Sequence, residues 1–431
     1  MRFELRREPA PAGDLCARLA QTRARTRFYW RSADGRVELL GLGEAAAVET
    51  SGLERFARAA ERVAELWRSV ACTGPAAPPE AGPVLLGGFA FWDEPSEAPV
   101  WRGFPPLRFW LPEVLHARVG EHAWCTRVVA PAAEAPAELE TPRRAHHCTP
   151  NGVDSGFRAC PEPSRAEFAA EVARATRAIG AGELAKVVLA RACTLVQPGG
   201  FDGPRVLAAL RDAQPGCTVY GVGVGGASFV GASPERLLRR DGGRLHADAL
   251  AGSAPRGRTP EEDQRNAAAL LASTKEREEH EIVRRAVLDA LAPHCAELAA
   301  DAVPGLLRLA GIQHLHTPVS GRLRAERAAS VLELAAELFP TPAVGGAPRA
   351  AALEFLRRHE AARRGWYSGA IGWLAPGGDG ELCVALRSAL LRGDAATMHA
   401  GAGIVAGSTP EAELAETRWK LASALGALVE I

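Results

Sequence analysis

The stretch Gly221-Val-Gly223-Val-Gly225-Gly226 does most to limit the possible folds, because it spells GxGxxG and yet cannot work as a dinucleotide fingerprint. That fingerprint needs a strand, a tight turn and then a helix whose N-terminus faces the pyrophosphate. Here Ala227-Ser-Phe-Val-Gly-Ala232 follows and reads as a second strand, so the segment is a hairpin or a glycine-rich strand. Other segments agree. Val84–Phe91 and Leu107–Leu111 are apolar runs in a mixed α/β N-terminal part, and Leu184–Arg191 reads as a strand. Ala370–Ala375, a turn at Pro376–Gly380 and Glu381–Arg387 read as a hairpin. Ser164-Arg-Ala-Glu167 is a capping box, followed by Phe168, Val172, Ala175 and Ile179 on one helical face, with Gly180 and Gly182 as the stop. Thr259-Pro260-Glu261-Glu262 opens a helical stretch expected to run through about Leu291. No internal repeat is present. Strand pairs interleaved with helices predict an α+β sandwich rather than a doubly wound parallel sheet.

Length alone would allow two or three domains in 431 residues. The 51 basic and 51 acidic residues balance, with no basic stripe, which argues against nucleic acid as a partner. No apolar run suits a bilayer, and Met1-Arg-Phe-Glu-Leu-Arg-Arg-Glu lacks a signal-peptide pattern, so no membrane is expected. The nine cysteines are odd in number and lack CxxC spacing, which points to thiols in a reducing cytoplasm. The Ala/Pro-rich stretch 131–163 reads as a loop, and His146, His147 and Cys148 within it lack further ligands at metal spacing.

Chemistry-bearing residues concentrate in the rest. In Glu413-Leu-Ala-Glu416-Thr-Arg-Trp-Lys420 the two acids and the lysine fall at i, i+3 and i+7, one face of a helix. Leu414, Leu421, Leu425 and Leu428 supply a neighbouring apolar stripe, and Ser408-Thr-Pro-Glu411 the start. Just upstream, Ala400-Gly401-Ala402-Gly403 offers bare backbone to a ligand. Carboxylates, lysine and backbone together suit a divalent cation and a small polycarboxylate; a solvated terminal helix is the competing reading. Lys186 alternates with Val188 and Ala190, where an apolar setting would favour the uncharged amine, a base, unless the chain snorkels to water. Glu235, after the proline turn Gly231-Ala-Ser-Pro234, is either a buried proton donor or a helix-first-turn glutamate. Lys275-Glu276-Arg-Glu278-Glu279-His280-Glu281 places Glu276 and Glu279 on one face, as cation ligands or as a solvated surface. His314 and His316 point to one side of a strand, which fits hydrogen-bonding histidines.

In order, these pieces resemble the chorismate-utilising enzymes, and among them the isochorismate synthases. The carrying blocks are AKVVLAR (185–191), GASPERLL (231–238), ALAGSAPRG (249–257), STKEREEHEIV (273–283) and QHLHTPVSG (313–321). FPTPAVGGAP (339–348), RGWYSGAIGWL (364–374), VALR ending at 387 and AGAGIVAGSTPEAELAETRWK (400–420) complete them. GGFAFW (87–92) and FPPLRFWLPE (104–113) resemble the menaquinone-pathway branch. The resemblance implies one chorismate-binding domain over 1–431: two large sheets face to face with helices outside, a variable part at 1–130 contributing strands to the same core, and a motif-bearing part at 164–431. It implies Lys186 as the base activating water for attack at C2 and Glu235 as the acid protonating the departing C4 hydroxyl. Glu279 and Glu416 would hold magnesium (Mg2+), with Glu276 and Glu413 binding through water. Arg387, Tyr367 and the backbone of Gly401, Ala402 and Gly403 would hold the enolpyruvyl carboxylate, and Lys420 would sit by the ring carboxylate. Gly252, Ser253 and His314 would line the pocket.

The resemblance separates sister activities at three positions. Anthranilate synthases usually carry glutamine where Lys186 stands, and aminodeoxychorismate synthases a nucleophilic lysine where Ala251 stands. The pair Lys186 and Ala251 therefore implies water as nucleophile. Salicylate synthases tend to carry threonine where Ala343 stands, so Ala343 implies release of isochorismate, while Tyr367 suits either outcome. A salicylate synthase and a catalytically silent chorismate-binding subunit are the rivals. No glutamine amidotransferase subunit is expected, and a monomer or weak homodimer is.

Overall fold

The computed structural model describes residues 2–129, 158–327 and 329–429. His146, His147, Cys148 and most of the Ala/Pro-rich stretch lie outside the described residues. Two large sheets form the frame, one of 13 strands with a single parallel pair, Phe3–Pro9 beside Val70–Thr73, and one of 10 strands paired antiparallel among the described residues. The GxGxxG segment folds as expected: Thr218–Val224 pairs antiparallel with Ala227–Ser233, and Gly225 and Gly226 turn the corner at φ 55° and 83°. Such a two-residue turn needs positive φ at both positions, which glycine adopts without strain. The C-terminal hairpin is also present, as Ala370–Leu374 against Gly380–Val384.

Aromatic side chains weld the sheets together. Phe28 of the larger sheet meets Trp110 of the smaller edge-on at 5.9 Å, and both are fully buried. Each such side chain contributes roughly 2–3 kcal/mol through burial. Residues before 130 enter both sheets: Arg27–Arg31 pairs with Thr218–Val224, and Leu85–Phe89 with Ala370–Leu374. Helices lie outside. Helix Arg165–Gly180 carries the expected capping box and buries Phe168, Val172 and Ala175. Among the described residues no helix is long and apolar enough to cross a membrane.

Three local expectations need correction. The stretch read as loop ends in a strand, Arg158–Glu162, paired with Lys186–Val196. The single helix expected from Pro260 to Leu291 is two, Pro260–Ala272 and Thr274–Leu291. Ser273 breaks it by turning extended (φ −68°, ψ 115°), and its hydroxyl accepts from the Glu276 N–H as a new cap. Glu235 does not open a helix. It lies between Ala227–Ser233 in one sheet and Arg236–Asp241 in the other, where the chain passes from sheet to sheet.

Candidate active site

The crossover sets the site between the sheets. Strand Lys186–Val196 runs antiparallel to Ala395–Ile404, with Val188 opposite Gly403 and Ala190 opposite Gly401. Alternation turns Gly401 and Gly403 to one face and sends Ala402 to the other, where it joins the hydrophobic core; only its backbone can meet a ligand. Helix Thr274–Leu291 is anchored by Val283, Val287 and Leu291, and the same stripe carries Glu279 inward one turn earlier. The solvated-surface readings therefore fail: Glu279 is 9% and Glu413 1% exposed.

Buried and half-buried carboxylates alternate with lysines. Lys186 Nζ lies 2.9 Å from Glu279 Oε1, an ion pair not aligned as a hydrogen bond. Lys275 Nζ donates to Glu413 Oε1 at 3.0 Å and lies 3.7 Å from Glu276. Lys420 Nζ lies 2.6 Å from Glu416 Oε1 and donates to the Gly401 carbonyl at 2.9 Å. Burial, then the neighbouring Glu416 charge, pushes Glu413 up to about 7. Burial and Glu279 raise Glu276. At Glu416 burial also pushes upward, but the Lys420 ammonium, with Lys275 and neighbouring hydrogen bonds adding to it, leaves that carboxyl below its usual range.

Room here depends on glycine. A Cβ on Gly403 would lie 2.2 Å from Glu279 Oε1 and 3.1 Å from Lys186 Cε. On the facing sheet, Gly252 at φ 76° forms a bulge in Arg244–Pro255 that aims the Ser253 N–H at Glu276 Oε2, 3.1 Å away.

His314, 4% exposed, lies 3.1 Å from Arg387 through Nε2 and 3.0 Å from Ser253 Oγ through Nδ1. A guanidinium can only donate, so Nε2 accepts and Nδ1 carries the proton. Burial, with Arg387 alongside, holds this imidazole neutral by pushing it well below the ordinary 6.5. His316 hydrogen-bonds Asp248, so both histidines are satisfied as expected. Burial lifts Tyr367 to about 12, which keeps its phenol a donor, and its ring stacks on His399 at 5.0 Å.

Glu235 is 3% exposed, and burial followed by the Asp248 charge pushes it up to about 8, against the pull of Lys186, Lys420 and Arg387. It therefore holds its proton at neutral pH.

Glu235, Glu279, Glu416, Ala343, Tyr367 and Arg387 line one cavity, together with Gly252, Ser253, His314, Gly401, Gly403 and Lys420. Lys186, Glu276 and Glu413 sit behind that lining, Lys186 screened by Glu279. Sequence reasoning missed Arg364, Ser368 and His399 in the same wall and the counter-ion Lys275. Lys275 had a signal, four residues before Glu279 on one helical face; a buried arginine such as Arg364 has none.

The donor set fits a hard divalent cation. Glu413 Oε2 is buried without a hydrogen-bond partner, and four glutamates converge from two helices. Among the described residues no three His, Cys, Asp or Glu side chains cluster tightly enough to hold a metal by themselves. That is compatible with Mg2+, which takes one or two protein carboxylates and fills its octahedron with water and substrate oxygens.

Comparison with known proteins follows the same line. A family described as "Chorismate binding enzyme" matches residues 6–429. The chain is 36% identical to the salicylate biosynthesis isochorismate synthase of Pseudomonas aeruginosa, over 94% of this chain and 86% of that one. It is 35% identical to the isochorismate synthase MenF of Bacillus subtilis, over 93% and 88%. The structure of MenF, the menaquinone-specific isochorismate synthase of Escherichia coli, superposes with a TM-score of 0.82 at 28% identity, covering 99% of this chain and 94% of that one.

Proposed function

The chain belongs to the chorismate-binding enzymes, among the isochorismate synthases, and from that premise we propose that it converts chorismate to isochorismate with Mg2+, in menaquinone biosynthesis. The observation that carries the chemistry is Glu235: a buried carboxyl that keeps its proton at neutral pH, in the cavity that Glu279 also lines and with Lys186 close behind.

In this reading Lys186 takes a proton from water as the oxygen attacks C2 of the ring. The double bond shifts, the C4–O bond breaks, and Glu235 gives its proton to the departing hydroxyl, which leaves as water. Base work uses the uncharged amine of Lys186. Glu279 and Glu416 would hold Mg2+, with Glu276 and Glu413 reaching it through water. Bound there, the cation would supply charge neutralisation for the ring carboxylate. Lys420 adds positive charge beside that carboxylate. Arg387, the Tyr367 hydroxyl and the backbone of Gly401 to Gly403 orient the enolpyruvyl carboxylate. His314, locked by Arg387 and Ser253, holds Arg387 in place. The menaquinone assignment rests on the two N-terminal stretches that form strands Leu85–Phe89 and Leu107–Leu111.

The test is incubation of purified protein with chorismate and Mg2+, products being identified by chromatography and NMR. Isochorismate without pyruvate supports the reading; salicylate with pyruvate moves the protein to the lyase branch, and no turnover rejects it. Ala343 lines the cavity, so Ala343→Thr tests the boundary: it should raise the share of pyruvate.

A further inference from the structure

A second concavity lies on the far side of strand Lys186–Val196, between helices Arg165–Gly180 and Arg349–His359. It holds about 530 Å³; Arg174, Arg177, Leu184, Phe355, Arg358 and His359 line it, and its walls also carry the carboxylates of Glu183 and Glu354. Arg358 pairs with Glu354 at 2.6 Å. Among the described residues neither Arg174 nor Arg177 makes an ion pair within 4 Å, although Arg174 lies close enough to Glu171 to pull its carboxyl down, and Arg174 Nε is buried without a hydrogen-bond partner. Leu184 and the Phe355 ring, itself 4.7 Å from the His359 ring, supply an apolar flat surface beside these donors.

The walls of this groove are tied to the cavity described above. Helix Arg349–His359 runs directly into Glu360, which is 7% exposed and accepts from the Ala190 N–H at 2.9 Å. Glu360 also grips Arg364 through two hydrogen bonds of 2.6 and 2.5 Å. Arg364 donates to the carbonyls of Val188 and Val344 at 2.6 and 2.8 Å and to Ser368 Oγ at 3.2 Å, and all three residues line the cavity. From the other helix Glu171 accepts from the Ala361 N–H at 3.2 Å. Leu184 itself stands two residues before Lys186. The two helices that wall the groove thus carry both ends of one buried hydrogen-bond chain, Glu171 within one and Glu360 just past the other.

We propose that this groove binds a small aromatic carboxylate, and that occupancy slows the reaction by shifting Glu360 and Arg364 behind the substrate. Guanidinium groups take carboxylates through parallel N–H bonds, and Phe355 offers a face for the ring. The regulatory half of this inference rests on the isochorismate synthase reading; the binding half does not.

Benzoate is the probe. Calorimetry on the whole protein should show binding that Arg174→Met/Arg177→Met weakens at least tenfold, charge-assisted bonds being worth about 1.5–3 kcal/mol each. Phe355→Leu should weaken it severalfold and serves if the double variant fails to fold. In turnover assays benzoate should lower kcat severalfold with little change in KM, and the double variant should keep its basal kcat while losing that response. Purely competitive inhibition, or benzoate binding unchanged in the variants, overturns the proposal. An equal response to inorganic phosphate overturns the aromatic assignment. Should the protein not turn chorismate over at all, calorimetry still reads the groove, so the two failures are distinguishable.

Discussion

Glu235→Gln should yield a protein that is catalytically dead and more stable than the parent. An unfolded glutamate ionises near 4.5, whereas burial keeps Glu235 protonated to about 8. Between those values the folded protein retains a proton that the unfolded chain has lost, so stability falls as pH rises across the window and is level on either side. Each pH unit is worth about 1.4 kcal/mol, which gives roughly 4 kcal/mol at pH 7.5. Burying a glutamine amide returns part of that, leaving an expected gain of about 2 kcal/mol. For a chain of this length that is about 2 °C in Tm. Scanning calorimetry of both proteins at steps from pH 5 to 8 would measure it. Glu413 and Glu171 are each raised to about 7 and also tilt the parent's profile, but they are common to both proteins and cancel in the difference. A difference that stays flat across pH 5 to 8 would falsify the claim that Glu235 is a neutral acid in the folded protein.

Lys186→Ala should abolish isochorismate formation and, by leaving Glu279 without its buried counter-ion, destabilise the fold by about 3 kcal/mol; near-normal turnover would reject the base assignment. Gly403→Ala would force the Glu279 carboxylate aside, because the new methyl falls 2.2 Å from Oε1, and should cut kcat/KM about a hundredfold or more with about 1–3 kcal/mol of destabilisation; wild-type kinetics would show that the carboxylate geometry is not needed. EDTA should remove turnover and added Mg2+ restore it, and full activity after exhaustive chelation would discard the cation site. Arg364→Met leaves Glu360 buried without its counter-ion, so chemical denaturation should register a loss of about 3–5 kcal/mol, and an unchanged midpoint would show that the pair is dispensable.

Much of this architecture was legible in the sequence because it rests on local signals. The Gly225-Gly226 turn, the capping box at Ser164 and the alternation around Lys186 each state a backbone geometry within a few residues. The Ser273 break was readable in principle, since Ser273-Thr-Lys-Glu276 is itself a cap signature, but it was hidden inside a continuous helical pattern. The candidate carboxylates could be named from spacing and resemblance. Which lysine each would pair with could not, apart from Lys420 with Glu416, because Lys186 meets Glu279 and Lys275 meets Glu413 only once the sheets and helices are assembled. Arg364 was invisible for the same reason: in sequence it is one of two adjacent arginines, and only the fold seals it beneath Val188 and Val344.

The passage of the chain from one sheet to the other at Pro234-Glu235 also governs how activity is gained and lost. Lys186 and Gly403 belong to one sheet, Ser253 and His314 to the other, and Glu235 to the link between them. No half of the molecule carries a usable fragment of the chemistry, so a refolding chain can recover its strands long before it recovers turnover. Return of activity would then time the docking of the two sheets.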